Sequence, residues 1–338
     1  MTAFSIVIPC YNEAGCLDEL YTRVALVAQG SAGDDHEIVL INDGSKDGTW
    51  AAMQRLAGSD ARVVGINLSR NHGHQLALTA GLDLCRGDRI LILDADLQDP
   101  PELLPDMLAA MEREGADVVY AVRRARAGES FAKRASAALF YRMLARLTDT
   151  DIPLDTGDFR LMSRRALDAF LSLPEQARFI RGMVAWIGFR QIPFAYDRAE
   201  RHAGETHYPL TKMLRLAFDG ITGFSTAPLR FASHAGLVLT GASLLLLAYI
   251  GFGWLRGNTV AGWTSLMLVV VGLGAVQMFV LGMIGEYLGR MYIEAKKRPL
   301  YIVADIIGTP RDGSRLGHRA DTIATNDTPG GIGTRPTR

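Results

Sequence analysis

The chain has 338 residues, is 49% hydrophobic and carries no net formal charge at pH 7. That length allows two or so domains, and the even charge balance excludes a global electrostatic case for nucleic acid as partner. Three cysteines, Cys10, Cys16 and Cys85, show neither metal nor disulfide spacing and fit a reducing cytosol. The amino-terminal stretch lacks a charged n-region and a long apolar core, so no signal peptide is expected. Its short apolar run reads instead as a strand, Ser5 to Pro9, followed by a loop at Cys10 to Glu13 and a helix from Leu17 to Ala28. A second strand, Ile38 to Ile41, stops at Asn42-Asp43-Gly44-Ser45 and leads into a helix from Gly48 to Ala57. Val63 to Leu68 is the third strand. Asn71 to Gly73 then turns the chain into a helix over Gln75 to Cys85. Arg89 to Leu93 is the fourth strand, Pro101 to Glu114 the next helix, and Val118 to Ala121 another strand. Strands alternating with helices through short loops predict a doubly wound α/β domain. No G-x-G-x-x-G follows the first strand and no Walker loop exists, so neither an NAD site nor a P-loop is supported.

The stretch Leu91 to Pro101 organises the rest. An apolar buried strand ends in two carboxylates, Asp94 and Asp96, followed by the carboxamide of Gln98. In open α/β sheets, ligands bind outside the carboxyl ends of the strands. Hard oxygen ligands there suit Mg²⁺ or Mn²⁺ shared with a substrate diphosphate. Taken alone the motif is weak, and the same residues would also serve to cap a helix or solvate a loop. The other strand ends add to it on the same rim: Tyr11, Asn12 and Glu13, then Asp43, then Asn71. Aromatic, amide and carboxylate groups along one edge suit a nucleobase, a ribose and a metal-bound diphosphate.

Four motifs in order carry a family resemblance. Pro9-x-Tyr11-Asn12-Glu13, Asn42-Asp43-Gly44-Ser45-x-Asp47-Gly48-Thr49, Ser69-Arg70-Asn71-x-Gly73 and Asp94-Ala95-Asp96-Leu97-Gln98 resemble the GT-A glycosyltransferases of family 2. The nearest group is the polyprenyl-phosphate glycosyltransferases, the dolichol-phosphate mannose synthase and bactoprenol glucosyltransferase type, and the likeness covers residues 4 to 300. The resemblance implies a Rossmann-like GT-A domain followed by amphipathic juxtamembrane helices and two transmembrane helices. It implies that Pro9, Tyr11, Asn12, Glu13, Asp43, Asn71 and Asp94 hold the nucleotide sugar, with Arg198 and Arg201 in a lid over the diphosphate. It implies that Asp94, Asp96 and Gln98 organise the divalent metal, and that Asp158 and Asp96 are catalytic. His74 departs from the pattern, since many relatives carry Lys after Asn-x-Gly.

Between Arg123 and Arg146 lie seven Lys or Arg residues against the single Glu129. Arg123, Arg124, Arg126, Lys133 and Arg134 read either as an ordinary solvated helix face or as a phosphate cradle beside a membrane. The resemblance puts the acceptor phosphate here, with Arg123, Arg124, Lys133, Arg134 and Arg160 as its ligands. Asp155 to Leu161 reads as a Gly-broken loop. Asp158 within it either orients the acceptor or deprotonates it, although a phosphomonoester is already mostly anionic at neutral pH. Phe179 to Phe189 is an apolar, helix-like run whose Trp186 is left between core and substrate platform. Arg198 and Arg201, at i and i+3, would share a helix face. His202 and His207 have no metal spacing.

Pro209 to Ser233 reads as an amphipathic helix, either interfacial or core. Ala235 to Leu255 and Thr264 to Gly285 carry no charged residue, and each can cross a hydrocarbon core of about 30 Å. Arg230 precedes the pair, and Arg290, Lys296, Lys297 and Arg298 follow it, so the positive-inside rule puts the catalytic domain in the cytoplasm. Trp254 and Trp263 are candidate interface anchors on the far side. Gly285-x-x-x-Gly289 permits close helix contact, and the resemblance implies a homo-oligomer such as a tetramer. The expected division is a catalytic domain at 1–208, an interfacial helix at 209–233, a hairpin at 234–290, a cytoplasmic juxtamembrane piece at 291–308 and a disordered tail at 309–338. The expected activity is inverting transfer of a hexose from a UDP-glucose-like or GDP-mannose-like donor to undecaprenyl phosphate at the inner membrane. A processive polysaccharide synthase is the alternative, but it would tend to carry Gln-x-x-Arg-Trp, which is absent. A catalytically silent sugar-nucleotide scaffold is the other, and it has no need of Asp158.

Overall fold

The computed structural model describes residues 3–123, 156–197, 227–256 and 262–308. Strand β1 (Phe4–Cys10), helix α1 (Leu17–Ala32), β2 (His36–Asn42), α2 (Thr49–Ser59), β3 (Val63–Leu68), α3 (His74–Leu84) and β4 (Arg89–Ile92) alternate as expected. A short 3₁₀ turn at Pro101–Leu103 opens α4 (Leu104–Glu114), and β5 (Val118–Arg123) follows. Then come β6 (Thr156–Ser163), α5 (Arg164–Ser172), α6 (Ile180–Trp186) and β7 (Gln191–Tyr196). Two long helices, α7 (Ala227–Leu255) and α8 (Trp263–Lys296), precede β8 (Val303–Ile307).

The eight strands form one sheet in the order β7-β5-β6-β4-β1-β2-β3-β8. β1 is parallel to both β2 and β4, and β2 is parallel to β3. β1 and β2 are buried at every position, which is why they read as unbroken apolar runs rather than alternating ones. Alternate side chains face opposite layers. Ile6, Ile8, Ile38 and Leu40 pack under Leu17, Leu20, Met53 and Met107 of α1, α2 and α4. Val7, Val39 and Ile41 pack against Leu78, Leu167, Phe170 and Met183 of α3, α5 and α6. Gly81 lets α3 lie close to the sheet, since a Cβ there would come within 2.5 Å of Ile41 and Val7.

The chain runs outward from β1 through β2 and β3, then returns to place β4 on the other side of β1. The reversal opens a crevice at the carboxyl ends of β1 and β4, where this class of sheet takes its ligands. The loops after Cys10 and after Ile92 therefore face one another across it.

Several expectations need correction. The α/β sheet is mixed: β6 is antiparallel to β4 and β5, and β8 is antiparallel to β3. The Gly-broken loop expected over Asp155 to Leu161 is, from Thr156 on, strand β6. Phe159 and Leu161 enter one core layer and Met162 the other. Two acids and a glycine read locally as a turn, but pairing with β5 from Thr156 on, joined by β4 from Arg160 on, makes this a strand. The stretch expected as a juxtamembrane piece, 291–308, holds the end of α8 and one further strand. α8 continues to Lys296, and Val303–Ile307 becomes the edge strand beside β3, tied by Ser69 N–H to the Ile302 carbonyl at 2.9 Å.

Of the two expected spans, one segment meets the test among the described residues. Val269–Lys296 is 28 residues long, with mean hydropathy 1.8 over its apolar window, none of which is buried in the protein. α7 packs against α8 and exposes Leu237, Val238, Leu244, Leu245 and Tyr249. Arg124, Lys133, Arg134, Arg198 and Arg201, residues 209–226 of the expected interfacial helix, and the tail at 309–338 lie outside the described residues.

Candidate active site

The rim begins with two loops stitched together. Asn12 takes a left-handed backbone, φ 59°, which Asn tolerates better than most side-chain-bearing residues. That turn lets its N–H donate to Ser45 Oγ at 3.0 Å, while Lys46 N–H donates to Asn12 Oδ1 at 2.8 Å. Glu13 N–H donates to Thr49 Oγ1 at 2.9 Å and Ala14 N–H to Asp47 Oδ2 at 3.2 Å. Tyr11 stands at the lip, 44% exposed. Pro9 lies inside β1 and is buried.

Asp43 joins the third loop to these two. It is buried, and its two oxygens accept the N–H groups of His72 at 2.7 Å and Gly73 at 2.9 Å. The approach is close enough to require a glycine next door. Gly44 has φ 64°, and a Cβ there would stand 2.5 Å from the Asn71 nitrogen. Asn71 itself is exposed.

Across the crevice, the loop after β4 is held in an unusual shape. Leu97 has φ 59° yet is buried, and Gln98 N–H closes a turn onto Asp96 Oδ1 at 3.2 Å. A left-handed leucine is strained and persists only where its surroundings fix it. Asp94 Oδ1 and Gln98 Oε1 are buried atoms without a hydrogen-bond partner. Burial, opposed by His74 and reinforced by the neighbouring carboxylates, pushes the Asp94 carboxyl up to about 6. An Asp94 carboxylate oxygen and a Gln98 amide oxygen, both buried without a hydrogen-bond partner, fit a divalent cation, which would satisfy both. Among the described residues, no group of three or more His, Cys, Asp or Glu forms a ready-made cage. A cation here would take its remaining ligands from elsewhere.

Asp158, near the start of β6, faces Asp94 through His74. It is 3% exposed and collects three donors from two helices, α3 and α6. His74 Nε2 lies 3.0 Å and Gln75 Nε2 3.0 Å from its Oδ2, and Arg181 Nε lies 2.9 Å from its Oδ1. Burial opposes the charged form. The His74 hydrogen bond and the Arg181 and Arg160 charges outweigh it and hold the carboxyl well below the usual carboxylate range. His74 Nε2 is also 3.6 Å from Asp94 Oδ1. Burial lowers the imidazole's proton affinity, but the Asp158 hydrogen bond and the Asp94 charge raise it above the ordinary value.

Arg160 differs from its expected place in a lipid-phosphate cradle. It is 3% exposed, with Nε and Nη2 donating to the carbonyls of Asp158 and Gly157. Burial depresses its proton affinity to about 10, so it remains a cation, but one enclosed behind Asp158. Arg123 ends β5 opposite Tyr196 of β7. Three residues at this side were not among the expected ligands: His74, Gln75 and Arg181. Their signals were faint. Gly73 starts α3, so its first turn must point at the crevice, and Arg181 is the lone cation in an apolar run. Gln75 Oε1 also accepts the Ile180 N–H at 3.0 Å, which fixes the start of α6 to Asp158.

A family model described as glycosyl transferase family 2 matches residues 5–171. The chain is 47% identical over 306 residues to an uncharacterized glycosyltransferase of Bacillus subtilis, YkcC, covering 90% of this chain and 94% of that one. It is 40% identical over 300 residues to the prophage bactoprenol glucosyl transferase homolog of Escherichia coli K12, covering 88% and 97%. The chain belongs to glycosyltransferase family 2. The bactoprenol glucosyl transferase of Shigella phage SfV is likewise 40% identical over 300 residues, covering 88% of this chain and 97% of its own. Among solved structures, the glucosyl-3-phosphoglycerate synthase of Mycobacterium tuberculosis with Mn²⁺, UDP-glucose and phosphoglyceric acid is 21% identical, with a TM-score of 0.42 over 65% of this chain and 78% of that one. This is a glycosyltransferase whose catalytic sheet is a mixed, GT-A-like α/β array.

Proposed function

We propose that the protein transfers one hexose from a nucleotide sugar to a polyprenyl phosphate, with inversion, at the cytoplasmic face of a membrane. The observation that carries this reading is the pairing across the crevice: the Asp94 and Gln98 oxygens without hydrogen-bond partners on one wall, and Asp158 bonded to His74 and Arg181 on the other. The names of the bactoprenol glucosyl transferases that resemble it support the lipid acceptor. The apolar α8 segment supports an anchor, with α7 as the other arm of a hairpin and Arg290 and Lys296 at the cytoplasmic end.

In this reading Tyr11 offers its exposed ring to the nucleobase, and the Asp43-centred bonds hold the three loops that frame the nucleoside. Asp94, Asp96 and Gln98 would hold a bound Mg²⁺ or Mn²⁺, which supplies Lewis-acid stabilisation to the leaving diphosphate. The acceptor phosphate oxygen forms the new bond to the anomeric carbon as the bond to the nucleoside diphosphate breaks, its electrons going to the diphosphate. No proton need leave the acceptor, because a phosphomonoester is already anionic. Asp158 fits that requirement: a carboxylate held so firmly in its charged form is a poor proton acceptor. Its role is to keep His74, Gln75 and Arg181 in place, so that positive charge lines the acceptor side. Arg123, Arg124, Lys133 and Arg134 extend that charge to the lipid head group, and Arg198 and Arg201 cover the donor diphosphate.

The test is incubation of the purified full-length protein with Mn²⁺, labelled nucleotide sugars and undecaprenyl phosphate. A labelled product extractable into organic solvent, dependent on the lipid, is expected with a UDP- or GDP-hexose. Label transfer to no lipid with any donor contradicts the reading, and a growing insoluble product would indicate a polysaccharide synthase.

A further inference from the structure

The buried pair Tyr196–Asp99 is assigned no part in the reaction by anything above. Tyr196 is the last residue of β7 and is 3% exposed. Its hydroxyl donates a short hydrogen bond to Asp99 Oδ1. Asp99 is fully buried and directly follows Gln98, whose Oε1 is buried without a hydrogen-bond partner. The other side of the same tyrosine ring meets Phe159, edge to face, with centroids 5.6 Å apart and planes at 77°. Phe159 is fully buried and directly follows Asp158. One side chain thus touches the immediate neighbours of both walls of the crevice.

A phenylalanine would fill the same volume without burying a hydroxyl, and an apolar residue at position 99 would avoid burying a carboxylate. Such buried polar pairs add little net stability over apolar replacements, but they fix geometry. Geometry is what this loop needs. Its left-handed Leu97 is strained and requires anchors on both sides of Gln98. The Leu97 side chain, sunk in the core, is one anchor. Asp99, tied to the end of a sheet strand, is the other.

We propose that Tyr196 is a positioning residue that sets the Asp96–Gln98 turn, through Asp99, at a fixed distance from Asp158, through Phe159. The proposal rests on the donor-site reading above, in which Asp94, Asp96 and Gln98 face a nucleoside diphosphate and a divalent cation. Removing the hydroxyl frees the turn while leaving the ring contact, so the donor side loses its alignment and the acceptor wall does not. Groups that orient metal ligands from behind typically change affinity or rate by about 10-fold to 100-fold when removed.

The experiment compares full-length wild type, Tyr196→Phe and Phe170→Leu in detergent. Phe170 lies in the opposite core layer and controls for loss of stability alone. Mn²⁺ binding in the presence of UDP is followed by electron paramagnetic resonance, with melting temperature and steady-state transfer measured beside it. The expected result is Mn²⁺ binding about tenfold weaker in Tyr196→Phe, a higher donor KM, an acceptor KM unchanged, and a melting temperature no lower than that of Phe170→Leu. Phe170→Leu should bind Mn²⁺ as wild type does. Wild-type binding in Tyr196→Phe overturns the proposal while leaving the donor site standing. Absence of Mn²⁺ binding in wild type itself overturns both. Asp99 gives the same test from the other partner. Asp99→Ala should reproduce the loss, and Asp99→Asn, which still offers an oxygen to the hydroxyl, should restore binding; equal binding in all three also overturns it.

Discussion

The two walls of the crevice are built by different means. The donor rim, from Tyr11 round to Gly73, is held by main-chain N–H groups donating to short polar side chains close to the turns they stabilise. The acceptor wall is held instead by side chains bonding to side chains, with charged and amide groups converging on one carboxylate: His74 and Gln75 on α3, Asp158 on β6, and Arg181 on α6. The first kind of wall is a set of stiff loops with room for a flat base. The second is a pre-charged socket whose shape depends on electrostatic balance. Substitutions should therefore act on binding along the rim and on turnover and stability at the socket.

The largest effect should come where the two walls share a substrate. Asp96→Ala is expected to lower transfer by about a thousandfold with little change in melting temperature; retained activity would remove Asp96 from the donor site. Asp158→Asn should lower kcat by about a hundredfold. The acidic limb of its pH–rate profile should stay where it is in wild type, because that limb belongs to the acceptor phosphate, near about pH 6. A limb that vanishes in the variant would instead make Asp158 the base.

Asp158 and Asp94 should shift stability in opposite directions, measured by thermal unfolding with chelator present. Asp158 is held low, so its contribution exists above the unfolded carboxyl value and fades as pH falls. Asp158→Asn at pH 7.5 should thus cost about 2–4 kcal/mol, with the gap closing towards acid. Asp94 is held high, at about 6, so its contribution is full below the unfolded value and lost as pH rises through 6. Asp94→Asn should then stabilise the protein at pH 7.5. With 27% of that side chain still exposed, the gain should be about 1 kcal/mol and should shrink by pH 4.5. A stabilising Asp158→Asn or a destabilising Asp94→Asn would refute the charge assignment.

The smallest effect concerns His74. Lysine also donates to a carboxylate, so His74→Lys should keep transfer within roughly threefold of wild type, while His74→Ala should fall further. Equal loss in both would mean that the imidazole itself, not its charge and hydrogen bond, is required.

The contrast also explains what could be read before the fold was known. The rim was legible because each of its residues sits in a short motif directly after an apolar strand, so position and chemistry coincide in sequence. The first four strands, buried on both faces, were legible for the same reason. The socket was legible only at Asp158, because His74, Gln75 and Arg181 reach it from two helices, and the Gly157–Asp158 stretch resembles a turn until β5 pairs with it. Arg160 shows the limit most clearly. The resemblance puts it among the phosphate ligands, whereas its burial and its bonds to the Asp158 and Gly157 carbonyls could not be read from the sequence. β8 was hidden because its partner, β3, is more than two hundred residues away in sequence.

The most direct test of the central claim is a structure of the full-length protein with Mn²⁺ and UDP, using the anomalous signal of manganese. The account predicts one strong peak about 2.1 Å from oxygens of the Asp94–Gln98 loop and of the diphosphate, on the side of the crevice that Asp158 faces. A peak elsewhere, or UDP bound with that loop untouched, would contradict it.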